Sequence, residues 1–517
     1  MRNRTYFESL RVGADFSRGL EKHERGGRRA MTNIERESFG LSQSLIRHRT
    51  RKNLIPIDTN IPRFSRSGIG SGGGALALVT ILVTLTMSPH TASALPSYAR
   101  QTGQPCAACH TAFPELTPFG RQFKLGGYTL NGTRCGDVAA LVREANKKDD
   151  DKSSEPQYPF SGMIVSTFTH TAKPQDIDAA AHFGENNNLQ MQEASVFYGG
   201  QVYCNVGAFA QGTYEYADQR FFLDNADIRY ADRTKIGGTD VVYGITANNN
   251  PTVQDVWNST PTWGFPYVDS NIAPGPSNNT MIEGTFSGRV GGVGAYAFID
   301  NKLYAELSAY GAFNSRTLTT FGLDPNDPTS RVDGAAPYWR LAYERSWDSN
   351  SLMFGTFGML ADVKPDPMAS ATDRFTDIGI DAQYQYITDL HAFTLKASYI
   401  WENEKLDASG GGTKDHLDSF RLSGTYVYDR MISLQAGYFD LHGSTDANFF
   451  DSPTGSPDSR GYTVDVGYMP FNKGGPEAYP WVNGRIGVQW NRFTKVDGES
   501  ANAGDNDSVV GYLWIAF

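Results

Sequence analysis

From Phe160 to the last residue, apolar and polar positions alternate with a period of two, the repeat expected when successive side chains point to opposite faces of a strand. Ile378, Ile380, Ala382, Tyr384 and Tyr386 alternate with Asp377, Asp381, Gln383 and Gln385. Phe393, Leu395, Ala397, Tyr399 and Trp401 alternate with Thr394, Lys396, Ser398 and Glu402, and Ile486, Val488 and Trp490 with Arg485, Gln489 and Asn491. One face of each segment is greasy and the other is polar or charged. A soluble sandwich alternates too, but its strands are shorter; segments of about 10 residues with Tyr and Trp toward their ends suit a closed barrel facing lipid.

About sixteen such segments can be counted. Short turns separate some of them, at Cys204-Asn205, Asp300-Asn301-Lys302, Asp348-Ser349-Asn350, Thr388-Asp389 and Asp429-Arg430. Long polar connections are expected near 171–188, 249–285, 314–336, 403–416, 443–459 and 494–507. Short turns at one end and long loops at the other are the asymmetry of an outer-membrane barrel, with the short turns in the periplasm. The final strand, Val509 to Phe517, ends in an aromatic residue and places Val509, Leu513, Ile515 and Phe517 on one face, which resembles the terminal signal of bacterial outer-membrane proteins. The pattern predicts a mainly β protein whose barrel spans residues 158–517.

Composition changes the picture on the N-terminal side. Arg63 and Arg66 precede an apolar stretch, Ala75 to Met87, and the small-residue site Ala92-Ser93-Ala94; this reads as an export signal cleaved after Ala94. Ser67 to Ala99 carries no charged residue, so a membrane helix is the alternative, but the dense apolar core is short for a span of roughly 20 residues. Residues 1–94 are accordingly an N-terminal extension and signal peptide, and the unusually long polar start suggests a start codon assigned too far upstream. After Ala94 the chain has 31 basic and 49 acidic residues. That balance argues against nucleic-acid binding and permits attraction of cations.

Cys106-Ala107-Ala108-Cys109-His110 is the attachment pattern for one covalently bound c-type haem, in which both thiols add to vinyl groups and the His becomes the proximal iron ligand. Cysteines three apart share one side of a helical turn, so the adjoining His is carried under the porphyrin. A redox dithiol or half a zinc site would also use CxxC, but the chain has no second CxxC and no surrounding βαβ pattern. Thr117 is placed to cap a helix with Pro118 at its first position, Phe119 and Phe123 to bury one face, and Gly126-Gly127 to stop it. Arg121 and Lys124 are either solvated charges or partners of the haem propionates. No Met and no other His lies between Leu95 and Gly162. The iron is then five-coordinate or is completed from the barrel, where Met163, His170 and Met191 are nearest in sequence. Cys135 and Cys204 are left over in an oxidising compartment, and a disulfide between them would pin the N-terminal domain to the barrel.

Residues 95–157 thus form a small helical monohaem cytochrome c domain, expected to plug the lumen, with a domain hanging from an open pore as the alternative. The run Leu95 to Gly103, the CAACH motif, and Phe113-Pro114-Glu115-Leu116-Thr117-Pro118-Phe119-Gly120 through Lys124 with Gly127-Tyr128 resemble the fused outer-membrane monohaem cytochrome-porins of iron-oxidising bacteria. Asn249 to Trp257 with Trp263-Gly264-Phe265-Pro266 is similar to a long loop of that family, while the N-terminal extension departs from its pattern. The resemblance implies one haem held by Cys106, Cys109 and His110 in a barrel of about sixteen strands. It implies electrons taken from extracellular ferrous iron and passed to a periplasmic cytochrome or cupredoxin, which would make the chain an iron:cytochrome c oxidoreductase. A solute porin with a structural or regulatory haem, a conduit for another donor and a haem enzyme acting on a small molecule remain as alternatives.

Overall fold

In the computed structural model the described residues are 95–129, 158–175, 183–216, 219–284, 286–327, 331–366, 368–450, 452–474 and 481–517. The export segment and Cys135 lie outside them. Sixteen strands follow one another in chain order: β1 Phe160–Thr171, β2 Asn188–Tyr203, β3 Val206–Glu215, β4 Arg220–Ile236, β5 Thr239–Asn248, β6 Val290–Ile299, β7 Leu303–Ala312 and β8 Ala336–Trp347. The second half comprises β9 Asn350–Val363, β10 Asp373–Ile387, β11 His391–Leu406, β12 Thr413–Tyr428, β13 Ile432–Gly443, β14 Ser459–Tyr468, β15 Asn483–Lys495 and β16 Ser508–Ala516. Every strand pairs antiparallel with its sequence neighbours, and β1 pairs with β16 from Met163 opposite Ala516 to Thr171 opposite Ser508, closing the barrel.

The alternation read from sequence sets the wall's two faces. Along β10, Ile378, Ile380 and Tyr386 point outward and are exposed, whereas Asp377, Asp381, Gln383 and Gln385 point inward and are buried. The same holds for Ile486, Val488 and Trp490 against Arg485, Gln489 and Asn491 on β15. A soluble protein would bury the first set; an outward apolar belt around a polar interior is the arrangement of a barrel that meets lipid. All five anticipated short turns lie at one end of the barrel. The connection between β14 and β15, at the same end, is longer.

One predicted loop is mostly strand. β11 runs to Leu406 and β12 starts at Thr413, so 403–416 contains two strand ends joined by six residues. Its inward positions include Glu404, which is buried, and charge on an inward face makes a strand resemble a loop. The connection between β5 and β6 matches expectation in length but folds back into the lumen. Val253, Gln254, Val256 and Trp257 are fully buried there. Trp257 Nε1 donates to Glu344 on β8 at 2.7 Å, and the Met281 and Ile282 amides donate to Glu402 and Asp377 at 2.5 and 2.8 Å. Inward-facing carboxylates thus hold this loop inside the wall.

Candidate functional site

Residues 95–129 sit against the inside of the wall as three short helical pieces: α1 Pro96–Thr102, the single turn α2 Cys106–Cys109, and α3 Pro118–Leu125. Pro96 opens α1 and Gly103, at φ 65°, ends it in the left-handed region that glycine adopts without strain. The Ser97 amide of α1 donates to Ser161 Oγ of β1 at 3.0 Å, and Gln101 Nε2 donates to the Gly199 carbonyl of β2 at 2.7 Å. In α2 the His110 amide donates to the Cys106 carbonyl at 2.9 Å, closing the turn that brings the two cysteines to one side. Thr117 caps α3 as predicted, its Oγ1 accepting from the Gly120 amide at 3.1 Å. Gly120 faces the Cys109 backbone so closely that a Cβ there would lie 2.3 Å from the Cys109 carbonyl oxygen. Close contact between α3 and the motif therefore requires a glycine.

The predicted apolar face of α3 is not the one it buries. Phe123 is 7% exposed but Phe119 is 42% exposed, and Arg121 and Lys124 are buried beside Gly120 and Leu125. These two cations are not solvated. Arg121 forms an ion pair with Glu344 at 2.7 Å and donates to Gln385 and Ser351, so its guanidinium is committed to the wall. Lys124 Nζ donates to the Val253 and Asp255 carbonyls at 2.6 and 2.7 Å and lies 4.7 Å from the centre of the Trp263 ring. Burial, with the nearby Arg229 cation, lowers Lys124 to about 7. Because the lumen is polar, a charged helix face packs against it when each charge finds a partner.

Glu115 is the anchor that sequence reasoning missed. Its carboxylate is fully buried and accepts from Lys396 Nζ at 2.8 Å, Thr425 Oγ1 at 2.8 Å, Tyr267 at 3.0 Å and Thr111 at 3.0 Å. Burial alone would raise its pKa, but the Lys396 charge and these hydrogen bonds hold it below the usual 4.5. Tyr128 donates to Asp227 on β4, and Arg485 on β15 donates to the Phe113 carbonyl at 3.4 Å. The segment is therefore tied to strands spread around the circumference.

Cys106, Cys109 and His110 converge on a cavity of about 670 Å³, within the range of about 300–1,000 Å³ typical of ligand sites. Neither thiol is in a disulfide; Cys106 is buried and Cys109 half-buried. Burial and the neighbouring thiol push Cys109 up to about 12, keeping it a neutral thiol. Burial lowers His110 to about 4, against the opposing pull of the Pro114 and Glu115 backbone, so the ring is neutral and retains a lone pair for a metal. Its Nδ1 is buried without a hydrogen-bond partner among the described residues. Aromatic and aliphatic walls from Tyr98, Phe123, Val165, Phe197, Trp263 and Trp514 complete the lining. These features fit a covalently attached porphyrin: two reachable thiols, a neutral imidazole and an apolar cradle.

Strand parity sorts the candidates for a second axial ligand. On β1 the odd residues from Ser161 to Thr171 face inward, so His170 faces outward, where its Nδ1 lies 2.8 Å from the Asn187 side chain. Met191 pairs with outward-facing Ser166 and does not reach the cavity. Met163 faces inward and lines the cavity with His110. Cys204 is disulfide-bonded; Cys135, its proposed partner, lies outside the described residues.

The fold and its filled lumen define a closed, outer-membrane-type β-barrel with an internal segment that carries the CAACH motif. No protein-family model matches the chain, and no curated protein does. Among solved structures it is similar to OmpF of Salmonella typhi in complex with daunomycin, with 14% identity, coverage of 69% of this chain and 97% of that one, and a TM-score of 0.43. It is also similar to Pseudomonas putida OprB at high pH, with 13% identity, 75% and 100% coverage and a TM-score of 0.39. The outer-membrane channel DcaP of Acinetobacter baumannii gives 10%, 69% and 96%, and 0.39.

Proposed function

We propose that the chain is an outer-membrane electron conduit, with one c-type haem attached at Cys106 and Cys109 and ligated by His110. It takes electrons from extracellular ferrous iron and delivers them to a periplasmic cytochrome or cupredoxin. The observation that carries this reading is the convergence of the Cys106 and Cys109 thiols and the half-buried His110 imidazole on one largely apolar cavity inside a barrel. The haem supplies a one-electron relay. The chain's own residues would hold it: the α2 turn presents the thiols, Gly120 lets α3 close against the motif, and apolar side chains from the wall line the cavity. The same cavity is also lined by Glu193, Glu215, Asp224, Asp269 and Glu283, acidic side chains that favour a cation over an anion without gathering into a metal-holding cluster among the described residues. Glu215 ends β3 at the barrel end away from the short turns, the extracellular end in an outer-membrane orientation. Ferrous iron gives up one electron there and leaves as ferric iron, which precipitates readily at neutral pH and is best kept outside the periplasm.

The test is visible spectroscopy of the purified, haem-loaded chain in excess ferrous iron. Reduction at acidic or neutral pH is expected, and His110→Ala should assemble the barrel yet severely slow it, because the proximal ligand sets the potential. Wild-type haem that stays oxidised with iron at both pH values but is reduced by dithionite would point to a different donor. A large steady conductance in a planar bilayer would instead favour the solute porin.

A further inference from the structure

Met163 is the one methionine, and His110 the one histidine, that line the cavity among the described residues. They come from different parts of the fold: His110 enters on the N-terminal segment and Met163 on the first strand of the wall. Ring contacts lead from His110 to the stretch of wall that carries Met163. The His110 ring is 5.3 Å from Phe113, Phe113 is 6.3 Å from Trp514, and Trp514 is the cross-strand partner of Val165, two residues from Met163.

The local backbone fixes the thioether's position. Gly162 lies under the ring of Phe517, where a Cβ would come within 2.5 Å of the ring, and the two residues exchange backbone hydrogen bonds of 2.6 and 2.8 Å. A slip of β1 by one residue would break this contact and turn Met163 out to lipid. Met163 is 8% exposed, and its cross-strand partner is the small Ala516, which also lines the cavity. The next position in that row is Asn483, paired with Ala516 on its other side. Its Oδ1 accepts from the Gly484 amide at 2.8 Å, which orients Nδ2 the other way; that nitrogen is buried and unpartnered among the described residues, and the residue lines the cavity. A row presenting a soft sulfur donor, a small residue and a spare amide donor suits a porphyrin, whose iron takes the sulfur and whose carboxylates accept from the amide. A methionine that merely fills a gap in a packed core needs none of these.

We propose that Met163 is the sixth ligand of the haem iron, its thioether sulfur donating a lone pair on the side away from His110. This rests on the haem reading above. Histidine–methionine ligation raises the potential of a c-type haem, which suits an acceptor for a weak reductant such as ferrous iron.

The experiment uses the full-length, haem-loaded chain. Oxidised wild-type protein is expected to show the weak far-red sulfur-to-iron charge-transfer band of a thioether ligand. Met163→Leu should lose that band, shift to a high-spin spectrum, bind added imidazole readily and have a lower potential. Met163→His should give a low-spin spectrum without the band, an outcome that a packing role does not produce. His170→Leu should change nothing. Wild-type protein that carries covalent haem but lacks the band, or a band that survives in Met163→Leu or Met163→His, would overturn the assignment. Absence of covalent haem from the wild type would instead defeat the haem reading itself, so the two failures are distinguishable.

Discussion

Replacing Cys106 and Cys109 together with Ala is expected to leave no covalent porphyrin on the chain, a complete loss on a haem-stained denaturing gel. Each thiol is an attachment point in the proposed site, and no other free cysteine occurs among the described residues. The substitution is small in volume. Cys106 packs with Ala112, Phe113, Val427 and Met469, and exchanging its sulfur for a hydrogen should cost about 1 kcal/mol, too little to unfold a barrel of sixteen strands. Loss of stain with a normally assembled barrel is therefore the expected combination. A haem band that persists in the double variant would refute the site.

Glu115→Gln should loosen the N-terminal segment from the wall by about 3–5 kcal/mol, the usual cost of leaving a buried partner charge uncompensated. Gln keeps the shape but leaves the Lys396 ammonium, 4% exposed, without its counter-ion. Hydrogen exchange of residues 95–129 measures the effect. A Glu115→Gln/Lys396→Met double variant should recover part of the loss, because the remaining charge is gone. The same pair predicts an acid dependence. Glu115 has a folded pKa below 4.5, so its contribution is fully present above 4.5 and disappears as pH falls through the lower folded value. Exchange protection that is the same in wild type and Glu115→Gln would show that the carboxylate does not anchor the segment.

The strand pattern was legible because lipid outside and polar groups inside leave a period-two trace in the sequence. The CAACH motif stands out because the chemistry proposed for it demands adjacent residues at fixed spacing. What failed came from the inverted interior. Glu404 made 403–416 look like a loop, and yet its carboxylate is buried on β11. Arg121 and Lys124 looked like surface charge on α3, whereas in a polar lumen they form its docking face and Phe119 is the residue left exposed. The 42% exposure of Phe119 follows from Gly120, whose contact with Cys109 sets the helix rotation. Glu115 carried no local signal at all, since its cation lies 281 residues away. Of the three sulfur or imidazole candidates near the barrel's start, sequence proximity could not choose; the inward or outward parity of β1 and β2 does.

The order of parts along the chain has a consequence for manufacture. The segment bearing Cys106 precedes β1, and the seam between β1 and β16 is completed by the last residue, Phe517, against Gly162. The wall must therefore be wound around a segment made before any of it. Once wound, Lys396, Arg485, Glu344 and Asp227 hold that segment from four strands, and Cys106 is 4% exposed. On the haem reading proposed above, loading is expected before the wall closes, and a cell starved of haem should accumulate open, degradable precursor in place of a colourless finished barrel.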